Sequence, residues 1–282
     1  MTTRWTPLER RLSRQMATTC AEHGLLAEGD RVLVALSGGK DSYGMLHLLD
    51  RLVARLPFAV ELVAVHLDQR QPGYDGRPLV EWLRARGGRF EILSEDTYSV
   101  VMEQTEPGGT YCSVCSRLRR GVLYTAAERL GCNKLALGHH RDDSLETFLM
   151  NLIYTGRLQA MPAKYRTDDG RFEVIRPLIE CAEPDLVALA EEQAFPILPC
   201  NLCGSQEGLQ REAMAKLLAE LEKTQPHVRS TMLRALSNVR PTHLLDRDLA
   251  AAWEARPSHI PKKGPEAAPT ARHARALPVL QS

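Results

Sequence analysis

No apolar run in this chain approaches the roughly 20 residues that span a bilayer, so no transmembrane helix is expected. The N-terminal stretch MTTRWTPLERRLSRQ lacks the apolar core of a secretion signal, and a cytosolic location is the expectation. A net charge of only +1 means that bulk electrostatics do not announce nucleic acid. There is no internal repeat. The four-residue spacer of the Walker loop is missing, as is the GxGxxG of dinucleotide-binding folds. No cysteine pair occurs before residue 112 or after residue 203. At 282 residues and 44% apolar, the chain can form one large α/β domain, or a domain plus an extension, around a sizeable core.

The densest signal lies in residues 31–42. An apolar run (Val32, Leu33, Val34, Ala35, Leu36) leads straight into Ser37-Gly38-Gly39-Lys40-Asp41-Ser42. A helical pattern follows in Met45, Leu46, Leu48, Leu49 and Leu52. A buried strand, a small-residue turn and a helix N-terminus make an anion site. Glycine lets the backbone approach a phosphate, and helix N–H groups with their dipole favour negative charge. Ser37 and Ser42 add hydroxyl donors, and Lys40 adds a point charge.

Strand candidates at 31–36, 61–67, 89–94 and 134–139 alternate with helical patterns near 42–55, 75–87, 116–130 and 142–155. A fifth strand is expected at 173–178 and a helix at 183–194. The pattern predicts an α/β fold: a parallel sheet of about five strands flanked by helices, with ligands at the carboxyl ends of the strands. Residues 1–30 are expected to form an N-terminal helical region and 31–206 the catalytic domain. Two amphipathic helices, at 207–222 and 225–239, belong to a helical C-terminal extension over 207–250. A Pro- and Ala-rich tail over 251–282 is expected to be disordered.

Three further clusters carry chemistry. Cys112-Ser113-Val114-Cys115 and Cys200-Asn201-Leu202-Cys203 are two CxxC pairs. In a reducing compartment they read as a four-cysteine zinc site, an iron–sulfur site or a redox pair rather than disulfides. Cys20, Cys132 and Cys181 have no partner spacing. Gly138-His139-His140-Arg141-Asp142-Asp143 falls at the end of the fourth strand, where a ligand crevice opens. Asp142 or Asp143 can hold Mg²⁺ or cap the next helix, and His140 and Arg141 can meet phosphates. Asp68-Gln69-Arg70-Gln71-Pro72-Gly73 follows the second strand, where an adenine or ribose would lie, or is a plain loop. Basic clusters at 1–14 (Arg4, Arg10, Arg11 and Arg14 against Glu9) and at 117–120 are phosphate-binding patches or solvated helix faces.

The Ser-Gly-Gly-Lys-Asp-Ser stretch resembles the pyrophosphate loop of the ATP pyrophosphatase superfamily. The ordered set of that loop, Leu67–Gly73, Cys112–Gly121, Gly138–Asp143 and Pro199–Gln206 resembles the tRNA 2-thiocytidine synthetase family, over residues from about 8 to about 245. The absence of flanking cysteine pairs favours this branch over the 2-thiouridine synthetases. The resemblance implies ATP-dependent thiolation of cytidine 32 in tRNA, with Mg²⁺ and a [4Fe–4S] cluster. It assigns the nucleotide to Ser37, Gly38, Gly39, Lys40, Asp41, Ser42, Asp68, Gly138 and His139. Catalytic roles fall to Lys40, Asp41 and Asp143, and cluster ligation to Cys112, Cys115 and Cys203; Cys200 is left as a fourth ligand, a persulfide relay or a bystander, of which a nonligand role is favoured. It further implies the tRNA anticodon loop, a cysteine desulfurase and a second copy of the chain as partners. The alternatives are another tRNA thiolase or ligase of the superfamily (2-thiouridine or lysidine type) and a non-enzymatic, metal-containing tRNA-binding module.

Overall fold

Alternating strands and helices build a three-layer core whose sheet reverses direction at one point, and that point sets the site. The computed structural model of the chain describes residues 5–105, 111–198 and 206–256, and their side chains other than those of 111–113 and 206–209. In chain order the elements are α1 (Pro7–Glu22), β1 (Arg31–Ala35), α2 (Lys40–Val53), β2 (Glu61–Asp68), α3 (Arg77–Arg86), β3 (Arg89–Ser94), α4 (Thr97–Gln104), α5 (Tyr111–Arg129), β4 (Lys134–Ala136) and α6 (Arg141–Met150). A π-helical turn (Asn151–Thr155) continues α6. Then come β5 (Lys164–Arg166), β6 (Glu173–Ile175), α7 (Glu183–Glu192), α8 (Gln206–Thr224) and α9 (Val228–Leu236). A 3-10 turn (Pro241–His243) precedes α10 (Arg247–Glu254).

The sheet order is β3-β2-β1-β4-β6-β5. Five strands pair in parallel, and only β5 runs antiparallel, against β6. The chain winds outward from β1 to β3, then crosses back to β4. The crevice between β1 and β4 is therefore the switch point at which ligands enter such sheets. Strand periodicity sorts the side chains. Val32, Val34, Ala64, Ala136 and Ile175 face one core with α1, α2, α3 and α7, whereas Leu33, Val63, Val65, Leu135 and Val174 face another with α5. A third, smaller core joins α6, α8 and α9 through Leu145, Leu149, Met214 and Leu218.

Expected and observed elements differ where local chemistry overrides pattern. The strand expected over 134–139 ends at Ala136 and the one over 173–178 ends at Ile175. Both stop as the chain turns into the crevice, and Pro177 lacks the N–H to continue the ladder. The sixth strand, β5, is the three polar-flanked residues Lys164, Tyr165 and Arg166, too short to show alternation. Helix α4 starts at an Asp96 cap, whose side chain accepts from the Ser99 N–H. Helix α10 runs past the expected start of the tail, to Glu254, and residues 257–282 lie outside the described residues. No helix among the described residues is long and apolar enough to cross a membrane.

A buried ion pair pins the lower end of β4. Lys134 Nζ lies 2.7 Å from Asp30 Oδ2, with the two side chains 6% and 5% exposed. The ammonium also donates to the Leu25 carbonyl at 2.9 Å. Asp30 accepts from the Ala27 N–H and from Asn133 Nδ2 at 2.6 and 2.7 Å. Lys134 Nζ also lies 3.5 Å from Glu173 Oε2, so removing Asp30 leaves the ammonium one longer, more exposed ion pair. Asp30→Ala is expected to cost about 2–3 kcal/mol by urea denaturation, through the lost buried hydrogen bonds to a charged group. A loss below about 1 kcal/mol would show that Glu173 and water take over the lysine.

Candidate active site

The phosphate loop forms because β1 ends at a Gly-Gly turn and α2 begins without a side-chain cap. Gly38 has φ 89°, a region that favours glycine. Gly39 is the N-cap of α2 and offers no capping side chain, which leaves first-turn N–H groups for an anion. Ser37 is exposed at the mouth, where its hydroxyl faces Ser42 Oγ at 3.2 Å, and Ser42 Oγ in turn donates to the Gly39 carbonyl at 2.8 Å. Gly138 closes the other side of the crevice. A Cβ there would sit 3.2 Å from the Asp41 carbonyl carbon and the Ser42 nitrogen.

Charge gathers beside this loop. Lys40 Nζ bridges Asp41 Oδ2 at 3.2 Å and Glu183 Oε1 at 2.9 Å. Burial opposes the ammonium, but these two carboxylates outweigh it and raise its pKa. Burial raises the Asp41 carboxyl above the ordinary range, with Lys40 and His140 pulling the other way. Asp41 Oδ1 is buried with no hydrogen-bond partner, and His140 Nε2 stands 3.9 Å away.

The two aspartates of the strand-end motif divide their work. Asp142 is 3% exposed; it caps α7 by accepting the Glu183 N–H at 2.8 Å and takes Arg229 and Arg141 at 2.8 and 3.1 Å. Burial works against its charge, but that N–H and those arginines hold its carboxyl below the ordinary range. Asp143 closes a capping box with His140, accepting the His140 N–H at 3.0 Å. Its other oxygen accepts from Arg211 of α8, also at 3.0 Å. Asp143 is the one that faces His140 Nε2, at 3.4 Å. His139 pairs with Arg176. Its Nδ1 accepts from Arg176 Nε at 3.2 Å, and burial, helped by that guanidinium, lowers its pKa to about 4.

A cavity of about 220 Å³ opens beside the loop, lined by Ser37, Gly39, His66, Gln69, Tyr74 and Arg119. His66 Nδ1 lies 2.7 Å from the Leu36 carbonyl, which only accepts, so Nδ1 carries the proton and Nε2 accepts from the Tyr74 hydroxyl. Asp68 does not line this cavity. Its carboxylate accepts from the Arg70 N–H at 2.8 Å and stabilises a turn in which Arg70 has φ 55°.

Two described stretches next to the cysteine pairs border this region. Cys115 on α5 is buried, with Sγ 3.2 Å from Gln69 Oε1 and 3.4 Å from Arg119 Nη2. Position 112 lies three residues earlier on the same helix. Leu198 donates its N–H to the Gly38 carbonyl at 2.9 Å and lines the same cavity, so the chain enters the second pair directly beside the phosphate loop. Cys200 and Cys203 themselves lie outside the described residues, as does the Cys112 side chain. Glu183 and Leu198 are members of the site that motif reading did not place, Glu183 having only a helix-start signal next to Pro184, whereas Gln69 and Arg119 fall in the 68–73 segment and the 117–120 basic cluster that the sequence singled out.

Together, the fold, loop and crevice define a PP-loop protein, and the family profile of the PP-loop domain matches residues 8–197. The tRNA-cytidine(32) 2-sulfurtransferase of Sorangium cellulosum is 53% identical over 242 residues, 86% of each chain. That of Tolumonas auensis is 51% identical over 86% of this chain and 80% of its own. The chain belongs to this family of tRNA sulfurtransferases. Its fold is also that of the U34-tRNA thiolase NcsA from Methanococcus maripaludis, whose structure was determined with its [4Fe-4S] cluster. The TM-score is 0.64 at 24% identity, over 83% of this chain and 80% of that one.

Two outcomes test this geometry. Gly138→Ala sets a methyl against backbone rather than a flexible side chain, so the start of α2 must shift. It is expected to weaken ATP-analogue binding by at least about tenfold, roughly 1.4 kcal/mol, measured by calorimetry. Unchanged affinity would mean that the crevice has slack. The second outcome concerns Glu146. Burial, with Asp143, Glu183 and Asp142 adding to it and Arg211 opposing, pushes its carboxyl up to about 7 from an ordinary 4.5. The fold thus favours the neutral form, and stability falls as pH rises from about 4.5 through about 7. Glu146→Gln is expected to remove that slope and to gain at most about 3 kcal/mol at about pH 8. The same slope in the variant and the parent would contradict this.

Proposed function

We propose that this chain replaces the 2-keto oxygen of cytidine 32 in tRNA by sulfur at the expense of ATP. The observation that carries the reading is a convergence. The phosphate loop and Leu198, on the chain leading to Cys200, border one cavity, and the buried Cys115 sulfur contacts Gln69 and Arg119, which line it. The names of the relatives at about 50% identity support the choice of base and position.

The keto oxygen is a poor leaving group, so it is first activated. It attacks the α-phosphorus of ATP, an O–P bond forms, and pyrophosphate departs as the α–β bridge breaks. Sulfur then bonds to C2, and the C–O bond breaks with AMP carrying the oxygen away. First-turn N–H groups of α2, with Ser37 and Ser42, hold the phosphates. Lys40, held at the loop by Asp41 and Glu183, compensates charge that develops on them.

Mg²⁺ suits the free oxygen of Asp41 together with Asp143. No group of three His, Cys, Asp or Glu among the described residues forms a ready-made metal cage. This matches an ion that takes one or two carboxylates and completes its shell with phosphates and water. For the cluster, the sulfur of Cys115 fits a thiolate ligand, because the Arg119 guanidinium donates to it. We assign Cys112, Cys115 and Cys203 as its three ligands, with Cys200 outside the set. A [4Fe–4S] cluster with three protein ligands supplies an open position for the incoming sulfur.

A wide groove of about 1080 Å³ between α1, the start of α7 and α9 is one candidate tRNA surface, with Arg11, Arg141 and Arg234 along it beside Glu22, Glu180 and Asp185. Arg11 is partly committed to Asp185 at 2.6 Å. An anticodon-loop base costs less to extrude than one in a duplex, which suits chemistry on C2. A cysteine desulfurase as sulfur source, a homodimer and a cytosolic location complete the proposal.

The test is nucleoside analysis of tRNA from a strain that lacks this gene, complemented with the parent or with Asp41→Asn. The parent is expected to restore 2-thiocytidine and Asp41→Asn to lower it at least about tenfold, the size of a lost 1.4 kcal/mol interaction. Unchanged 2-thiocytidine on deletion would overturn the reading.

A further inference from the structure

We infer that Gln69 and Arg119 are positioning residues that tune the Cys115 sulfur and couple it to occupancy of the nucleotide cavity. The inference rests on the reading of Cys115 as a cluster ligand. It concerns two side chains, from separate elements, that meet at one buried sulfur and also line the cavity beside Ser37 and Gly39.

Both are built into place. The Gln69 carbonyl accepts the Tyr98 N–H at 3.2 Å, which ties its backbone to the start of α4. Its side-chain oxygen accepts from Thr97 Oγ1 at 3.3 Å, and Thr97 is itself 7% exposed. Arg119 stands four residues after Cys115, one turn along α5, so the two share a helix face. Its neighbours Arg117 and Arg120 are exposed. The basic run 117–120 is therefore split, with Arg119 turned to the sulfur and the cavity while the other two face solvent.

The arrangement suits both states of the sulfur. A thiol donates its proton to Gln69 Oε1. A ligating thiolate has no proton and needs donors. A half-turn of the terminal amide puts Nε2 in the same position, and its two hydrogens serve the same two partners. One goes to the sulfur and one to the Thr97 hydroxyl, which accepts as readily as it donates. Arg119 needs no rearrangement, since it has only donors. Two N–H donors to a ligating sulfur draw electron density from it and favour the reduced cluster. An anion bound at the loop competes for the Arg119 guanidinium, so filling the cavity weakens one of the two donors.

The test uses the full-length chain reconstituted anaerobically with iron and sulfide. Iron content, midpoint potential from an EPR-monitored titration, and melting temperature of the apo form are measured for the parent, Gln69→Glu, Arg119→Met and Arg119→Lys. Gln69→Glu keeps the shape but cannot donate as a carboxylate. It and Arg119→Met are expected to melt like the parent and to shift the potential to more negative values, with Arg119→Lys shifting less. A non-hydrolysable ATP analogue is expected to shift the parent the same way and to shift Arg119→Met by less than half as much. Potentials and EPR signals unchanged in Gln69→Glu and Arg119→Met would overturn the inference, provided Cys115→Ala loses the cluster. A Cys115→Ala protein that keeps its iron and its visible absorbance would instead overturn the ligand assignment beneath it.

Discussion

The Leu198 N–H donates to the Gly38 carbonyl, and much of the site depends on this one backbone hydrogen bond. It crosses 160 residues of sequence and fastens the segment leading to the second cysteine pair onto the phosphate loop. Gly38 permits it twice over. Its φ of 89° turns the carbonyl toward Leu198, and a Cβ would stand 3.1 Å from the leucine side chain. Tyr43 on α2 adds a second tie by donating its hydroxyl proton to the Pro196 carbonyl at 3.0 Å. The stacked ring of Phe195 fills the space between. Loop geometry and placement of the second cysteine segment are therefore one structural problem rather than two.

Electrostatics then separate residues that look alike in sequence. Asp142 and Asp143 are adjacent, yet only Asp143 faces His140 Nε2 and stays partly accessible. Asp142 is spent on the α7 N-terminus and two arginines. Helical geometry accounts for the split, since neighbours in sequence project about 100° apart around a helix. Because Asp142 caps α7 and Glu183 begins α7, the cap also fixes where Glu183 meets Lys40. The structural aspartate thus positions a charge at the phosphate loop without touching it. Arg211 and Arg229 extend the same network into α8 and α9, so the C-terminal helices are anchored by the carboxylates of the site as well as by their own small core.

What the sequence made legible were features that a local run of residues determines. The apolar runs of β1 and β2 and the glycine turn after β1 announce themselves, because strand burial and backbone freedom act over a few residues. Asp68 and His139 show what sequence leaves out. The Asp68 carboxylate accepts from the Arg70 N–H in the turn after β2. His139 Nδ1 accepts from Arg176, which follows β6. Neither local partner is announced by the residues around it. The partners of Gln69, Arg119 and Leu198 were unreadable for a different reason. Nothing in a glutamine, an arginine or a leucine states which distant group it will meet; the crossover from β3 to β4 brings Cys115 and Arg119 to Gln69, and the segment after α7 brings Leu198 to Gly38. Strand β5 carries only three residues, fewer than a period-2 pattern needs to stand out.

A parallel sheet with a reversal point gives one crevice, and two reactants have to share it. In the proposed reaction the nucleotide takes the loop after β1, and the sulfur centre comes from elements that reach the same edge without blocking the entry. Helix α5 can do this because it belongs to the crossover that returns from β3 to β4, passing over the edge of β2 on its way. That path sets Cys115 against Gln69 at the end of β2 and Arg119 against the cavity. The second segment reaches the edge from the other side, down from α7 to Leu198. Helix α2 follows β1 and starts at this edge as part of the phosphate loop, while α3, between β2 and β3, runs away from it. The long crossover from β3 to β4 and the segment after α7 are the two connections that bring cysteine-bearing stretches of sequence to the cavity, Arg119 lining it from the first and Leu198 from the second.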